Sequence, residues 1–281
     1  MFGFQTNKIK PTWHYKASGV IWRLVPTSSG KLIGESRNLE KKEASFFCLN
    51  RKTGEVLWEG ATFGEQWWID IEAVHEDTLL LHKFATPELP EHQSIIAVDV
   101  LAGTRLWQND EVKLEAVTER ALYASRWTER GDRLILGLDY KTGKILESLD
   151  DMKSGLAITD PQLTGVQDPE MPEPVFDLAT FNSPANISIR EHCNPESLVG
   201  QVECIERPRH LIFSYYQPAS QSSKESMNNI LKILDRQKNT IIFSETICHN
   251  SLAAVPENFF VQDGMLFFVR ERTELIAIGL D

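Results

Sequence analysis

The sequence predicts an all-β fold, namely a closed β-propeller of about six four-stranded blades, with five blades as the alternative. Three observations predict it. A short motif recurs along the 281 residues with a spacing typical of propeller blades. Short strand-like runs separated by turn residues precede each copy of that motif, and helical periodicity is almost absent. The chain also begins with the strand that its last repeat lacks.

The recurring motif is an apolar strand, a tight turn and a second short strand. The copies align on the residue that ends the first strand, which we call the anchor. The anchors are Asn50, Asp99, Asp139, Asp235 and Asp281. Four residues beyond an anchor lies a glycine or asparagine that tolerates the positive φ of a tight turn, at Gly54, Gly103, Gly143 and Asn239. Eight residues beyond an anchor lie Trp58, Trp107, Glu147 and Phe243. Each repeat is therefore predicted to end in a β-hairpin.

The anchors lie 49, 40, 96 and 46 residues apart, and the longest of these spacings is about twice the others. We therefore expect a single propeller domain over residues 1–281 with an irregular or degenerate blade at about residues 151–200. A strand of that blade is predicted within "NISIREHCNPESLVG", with Arg190 as the anchor and Asn194 in the turn.

Each repeat offers further strands before its anchor strand. The runs "WWIDIEAV" and "DTLLLHKF", for example, precede the strand that ends at Asp99. The last repeat ends at Asp281 without a fourth strand, and the N-terminal "KPTWHYKASG" matches "EVLWEGATFG", with Trp13 in the place of Trp58. An N-terminal strand is therefore expected to complete the last blade and close the ring, which removes exposed sheet edges.

The pattern A-x-D-x-x-T-G-x-x-x-W resembles the repeat of PQQ-like, or quinoprotein-type, β-propellers. The matching residues are Thr53, Gly54 and Trp58, then Ala97, Asp99, Gly103 and Trp107, and finally Thr142 and Gly143. The resemblance implies that the tryptophan docks between adjacent blades. Quinoprotein dehydrogenases are larger and often carry adjacent cysteines, which this chain lacks, so we predict neither PQQ nor another cofactor. The chain is also similar to a family of small uncharacterised bacterial propellers, which implies no activity.

Composition excludes two classes of partner. The formal charge of −11 and the absence of a run of Lys and Arg argue against nucleic-acid binding. No apolar run approaches about 20 residues, so no membrane span is predicted. The N-terminus lacks the features of a signal peptide, and Cys193 and Cys204 are expected to stay reduced, so we predict a cytoplasmic protein.

A candidate ligand site lies around the pair Trp67-Trp68 on a predicted innermost strand. Because adjacent strand residues face opposite sides, the two rings are expected to pack between blades. Alternatively, one ring reaches the mouth of the central channel beside acidic groups, as in many ligand pockets. The candidate ligand-binding residues are Glu35, Glu65, Trp67, Trp68 and Asp70.

No catalytic or metal site is predicted. The sequence contains no GxSxG, P-loop or GxGxxG motif, and its seven histidines include no HxH or HExxH pattern. His82 and His92 are each expected to be an ordinary imidazole, because a metal site would have to be assembled from ligands on separate blades. The Pro-rich segment 168–174 is expected to be an irregular insertion or a binding loop.

Function is therefore predicted only by class. The chain is expected to be a protein-binding or scaffold module with an unknown protein partner, since functions are grafted onto propellers rather than implied by them. The alternative is a small-ligand-binding protein or an enzyme that uses the channel mouth.

Overall fold

The computed structural model describes residues 8–86, 89–150, 168–175, 178, 182–220 and 223–280. These residues form 21 β-strands, one α-helix and one 3₁₀ turn, so the all-β prediction is confirmed. The chain divides into two compact units. The three-sheet unit is Ser18–Gln167, and the two-sheet unit combines Met1–Ala17 with Asp168–Asp281.

Each sheet of the three-sheet unit is an antiparallel four-stranded meander with its strands in chain order. The first sheet contains β2 (Val20–Pro26), β3 (Lys31–Asn38), β4 (Glu43–Asn50) and β5 (Val56–Ala61). The second contains β6 (Ile69–His75), β7 (Thr78–Thr86), β8 (Leu89–Asp99) and β9 (Arg105–Asn109). The third contains β10 (Lys113–Val117), β11 (Leu122–Trp127), β12 (Arg133–Leu138) and β13 (Ile145–Asp150). This is the strand order of a propeller blade.

The predicted turns of the repeat are confirmed. The Asp99 side chain accepts hydrogen bonds from the backbone N–H groups of Leu101 and Ala102, and Asn50 and Asp139 cap their own turns in the same way. An Asx side chain that bonds its following backbone stabilises a tight turn. The turn glycines Gly54, Gly103 and Gly143 have φ values of 73°, 66° and 66°. In the two-sheet unit Asp235 caps a turn in which Asn239 has φ 48°.

Tryptophans join neighbouring sheets within the three-sheet unit, as the repeat implied. Trp58 Nε1 donates to the carbonyl of Val100, and Trp107 Nε1 donates to that of Tyr140, each at 2.7 Å. Each ring also covers the turn glycine of the next repeat. Apolar side chains fill the space between these sheets; Ile33, Phe46, Ile71, Leu79 and Ile96 are members of the cluster between the first and second sheets.

The two-sheet unit pairs the first strand of the chain with the last. Its four-stranded sheet has the order β1 (Trp13–Lys16), β21 (Glu274–Gly279), β20 (Met265–Arg270) and β19 (Phe259–Gln262). The antiparallel register places Trp13 opposite Ala277. The expected completion of the last sheet by an N-terminal strand is therefore observed, while the anchor Asp281 lies outside the described residues.

The other sheet of this unit has five strands in chain order. They are β14 (Glu173–Pro174), β15 (Val199–Glu206), β16 (His210–Ser220), β17 (Ser223–Asp235) and β18 (Thr240–Ser251). The Pro-rich segment thus ends in a two-residue edge strand, a place where proline is tolerated because one side of the strand is unpaired.

The prediction of a strand around Arg190 is wrong. Pro184–His192 forms α1, in which Ser183 caps the N-terminus by accepting a hydrogen bond from the N–H of Asn186. A proline in the first turn and a serine cap favour a helix start. Ala185 and Ile189 are one turn apart and both buried, so the segment alternates with a helical rather than a strand period. Asn194 caps the 3₁₀ turn Pro195–Ser197.

The described residues form five sheets, the number of the alternative prediction. Residues 151–167, 176–177 and 179–181 of the degenerate blade predicted at about residues 151–200 lie outside the described residues. The closed ring, six blades and a single domain stay predictions. Within the described part of the chain, the helices are too short and too polar to cross a membrane.

Candidate functional site

One end of each sheet in the three-sheet unit carries polar side chains that are buried or half-buried, among them Glu35, His82 and Glu115. We call this the polar end, defined as the end where the first strand begins and the second strand ends. The first strand of each sheet carries a β-bulge there, at Trp22, Glu72 and Glu115. A bulge redirects side chains and is common beside functional sites.

Arg37 on β3 connects the first sheet to the start of the second. Its Nη1 donates to the carbonyl of Trp67 at 3.0 Å, its Nη2 donates to that of Ile69 at 2.8 Å, and its Nε donates to Glu35 Oε1. The guanidinium carbon lies 5.1 Å from the ring centre of Trp22 and 4.9 Å from that of Trp67. Two cation–π contacts therefore hold this cation in place.

Glu35 and Asp70 form an acidic pair beside that arginine. Glu35 is fully buried, at 0% exposure. Burial, followed by the hydrogen bond to Asp70 and the charge of Asp70, raises the pKa of Glu35 to about 8, although Arg37 opposes the shift. Glu35 is therefore protonated at neutral pH. Asp70 also lies 3.6 Å from Arg23 Nη1.

Glu65 fixes the backbone that carries the tryptophan pair. Its Oε1 accepts from the N–H groups of Trp67 and Trp68, both at 3.0 Å. Burial opposes ionisation of Glu65, but these backbone donors outweigh it and lower the pKa. Glu65 also lines an open polar cavity of about 670 Å³ with residues such as Asn38, Lys41 and Thr62.

The structure brings the five predicted residues to the same polar end, with two differences from the sequence interpretation. Trp67 and Trp68 precede β6 rather than lying on it, because the strand begins at Ile69. Trp67 is half-buried against Arg37, whereas Trp68 packs edge-on against Phe84 with ring centres 6.2 Å apart. Glu35 is buried in protein contacts, so its geometry supports a structural role.

A second cluster, the histidine cluster, consists of Glu72, His82 and His92 on β6, β7 and β8. Glu72 Oε2 lies 2.5 Å from His82 Nδ1 and 2.8 Å from His92 Nδ1. The two imidazole rings stack with centres 3.6 Å apart and planes 8° apart. Burial opposes ionisation of Glu72, but the two histidines outweigh it and lower the pKa.

The sequence did not indicate this cluster, because its histidines fall in no metal-binding motif and metal ligands were expected from separate blades. One sheet is sufficient, since three adjacent strands each supply one residue. His92 was expected in a loop, whereas the structure places it on β8, which begins at Leu89 and pairs His92 with Phe84.

Exposed tryptophans mark the same polar end. Trp22, Trp68 and Trp127 are 52%, 40% and 72% exposed, and each belongs to a different sheet. Trp22 lies in the bulge of β2, Trp68 precedes β6, and Trp127 ends β11. Each therefore lies where the first strand of its sheet begins or the second ends.

Comparison with known proteins gives one family match. A family described as "Domain of unknown function (DUF4905)" matches residues 25–107, which is less than half of the chain. No curated protein matches the chain.

Similar solved structures include β-propellers. BamB from Moraxella catarrhalis is 13% identical, with 95% of this chain and 87% of that chain covered and a TM-score of 0.35. The WD40 domain of SCAP from fission yeast is 8% identical, with 97% and 98% covered and a TM-score of 0.30. The β-propeller domain of the Trilobed protease from Pyrococcus furiosus is 11% identical, with 89% and 65% covered and a TM-score of 0.30. At these TM-scores the blade assignment depends on the strand order of the sheets and on the repeat.

Proposed function

We propose that this chain is a β-propeller binding module that binds a protein at the polar end of its three-sheet unit. The observation that carries the proposal is the set of three exposed tryptophans, one from each sheet. Tryptophan is enriched among the residues that dominate binding energy, since its large ring is buried on association while its N–H can still find a partner.

Polar surroundings support a protein partner. The exposed rings lie at the same end as the polar cavity and the ion pair between Arg126 and Glu111. Apolar anchors within a polar rim are typical of protein interfaces that form and dissociate.

Rigid support for the rings also favours binding. Arg37 holds Trp22 and Trp67 by cation–π contacts, and Glu65 holds the backbone of Trp67 and Trp68. A surface that is already ordered loses less conformational entropy when a partner binds.

The type of propeller, the closure of its ring and the cellular compartment are part of the same proposal. The turn, glycine and tryptophan of the repeat support a propeller of the PQQ-like type, and the pairing of β1 with β21 supports a ring closed by the N-terminal strand. The four free cysteines support a reducing compartment such as the cytoplasm. A role as a scaffold follows if the partner is itself part of a complex.

Two matched double variants test the proposal. Trp68→Ala with Trp127→Ala removes exposed rings at the polar end, and Ile145→Ala with Leu146→Ala removes exposed apolar groups on the outer strand β13. A pull-down from lysate of the source organism identifies proteins that bind the wild type, and the purified partner is then titrated. We expect the tryptophan variant to weaken binding roughly 30-fold or more, as loss of about 2 kcal/mol predicts, and the control variant to bind normally. Equal binding by both variants, or equal loss, contradicts the proposed face.

A small ligand is the second candidate function, and the cavity beside Glu65 favours it. Its volume of about 670 Å³ lies within the range of ligand pockets. Two results together would support this alternative over the first. A metabolite would raise the melting temperature of the purified chain, and the tryptophan double variant would still bind protein normally.

A further inference from the structure

We propose that Glu72, His82 and His92 form a binding site for a borderline divalent transition-metal ion, with Zn²⁺ as the representative. Each residue offers one ligand atom, and the three atoms lie within 4.8 Å of one another. Two imidazole nitrogens and one carboxylate oxygen are a common donor set for such ions, and three protein ligands leave a coordination position for water.

Three potential ligand atoms of this cluster converge on one point. His82 is only 4% exposed, and its Nδ1 lies 2.5 Å from Glu72 Oε2. The same carboxylate oxygen lies 2.8 Å from His92 Nδ1. One cation can therefore bind both imidazole nitrogens and the carboxylate oxygen, which is the arrangement that a divalent metal site requires.

Two β-bulges create this convergence. Glu72 is the extra residue of β6, between the pairs Ile71–Leu81 and Ala73–Leu80. On the other side of β7, the strand β8 has an extra residue between Gln93 and Ile96, where Ser94 has φ 69°. The two irregularities flank His82 on both sides. A regular ladder would leave side chains from three strands in a row rather than directed at one point.

The surroundings suit an ion that is reached from one side. Phe84 packs edge-on against both imidazole rings, with ring centres 5.0 Å from His82 and 5.6 Å from His92. His92 is half-buried and faces the solvent side of the cluster. The ligand atoms around tetrahedral Zn²⁺ lie about 3.3 Å apart, from bonds of about 2.0–2.1 Å. Binding therefore requires Glu72 Oε2 to move less than an ångström away from each imidazole nitrogen, and the stacked rings to rotate so that both nitrogens point at the ion.

Calorimetric titration of Zn²⁺ into chelator-treated protein tests the site. The variants Glu72→Gln and His92→Gln each remove one ligand with little change of volume. His249→Gln is the matched control, because His249 pairs with Glu271 elsewhere in the chain and has no part in the cluster. Circular dichroism and melting temperature establish that every variant is folded.

We expect the wild type to bind one Zn²⁺ ion, and each ligand variant to bind at least about tenfold more weakly, since even outer-shell changes cost that much. The control variant is expected to bind as the wild type does. Co²⁺ in place of Zn²⁺ is expected to give visible absorption bands that both ligand variants lose. Absence of Zn²⁺ binding at millimolar concentration, binding that both ligand variants retain in full, or preference for Mg²⁺ over Zn²⁺ overturns the proposal.

Discussion

Glu35 is a carboxyl group whose proton is controlled by two neighbouring residues. Burial and Asp70 raise the pKa of Glu35 and favour its protonated form, whereas Arg37 opposes this shift. Glu35 is therefore protonated in the folded chain at pH values where it is ionised in the unfolded chain. This makes the residue sensitive to pH, even though it does not contact solvent.

Stability is expected to fall with rising pH because of this residue. The pKa of Glu35 rises from 4.5 to about 8 on folding, so the folded chain holds a proton that the unfolded chain releases. Its stabilising effect is complete below about pH 4.5 and is lost as the pH rises through about 8, at up to about 1.4 kcal/mol per pH unit. Glu35→Gln cannot titrate and is expected to flatten this fall, so the variant gains stability over the wild type at pH 9 relative to pH 5.

Urea unfolding followed by tryptophan fluorescence between pH 5 and pH 9 measures this effect. Glu43→Gln is a matched control, since Glu43 is an exposed carboxylate on the neighbouring strand β4. The interpretation of the acidic pair is wrong if Glu35→Gln and Glu43→Gln leave the same pH dependence as the wild type.

At the scale of the element, a glycine and a tryptophan determine how neighbouring sheets dock. Gly103 has φ 66°, and a Cβ built there lies 2.6 Å from the ring of Trp58. Gly143 repeats the arrangement with Trp107 at 2.7 Å. Gly103→Ala therefore adds both backbone strain and a steric clash.

We expect Gly103→Ala to be more destabilising than Gly131→Ala. Gly131 has φ 85°, but among the described residues no atom lies within 4 Å of its Cβ position. Gly131→Ala is therefore expected to lower the free energy of unfolding by about 1 kcal/mol through backbone strain alone. Gly103→Ala is expected to lose roughly a further 1–3 kcal/mol because of the clash with the ring. Equal losses of unfolding free energy in urea would show that the ring is free to move aside.

The repeat could be predicted from sequence because its signals are local. The turn at Asp99 and Gly103 needs only an Asx cap and a residue with positive φ, and both lie within five positions of the chain. Helix α1 was missed although Ser183 and Pro184 are helix-start residues, because the run Asn186–Arg190 also alternates as a strand does. Local pattern alone does not decide between the two periods in so short a segment.

The histidine cluster could not be predicted in the same way. It depends on the extra residue at Glu72 and on the irregularity at Ser94, each of which shifts the register of a strand pair. A bulge of this kind has no fixed sequence signature, so the positions of the side chains become known only from the strand pairing. The conjunction of Glu35 with Asp70 likewise depends on how two sheets of one unit pack.

At the scale of the whole molecule, the first strand of the chain depends on the last. β1 covers the edge of β21, Thr12 accepts a hydrogen bond from the N–H of Gly279, and Trp13 packs against Phe267 with ring centres 5.8 Å apart. This sheet can form only when residues more than 260 positions apart meet, which is a large loop-closure cost for one short strand. The buried rings of Trp13 and Tyr15 are the apolar groups that β1 contributes to offset this cost, and Trp13 has the larger ring.

We therefore expect Trp13→Ala to lower the free energy of unfolding by about 3–5 kcal/mol, the usual cost of removing a buried tryptophan. Trp127→Ala is the control, because that ring is 72% exposed and its loss is expected to change stability by less than about 0.5 kcal/mol. Urea unfolding compares the two variants, and dynamic light scattering measures whether Trp13→Ala aggregates, as an uncovered edge at β21 predicts. Equal stability of both variants, with no aggregation, would mean that β1 adds little to the sheet and that the N-terminal strand does not hold the last repeat together.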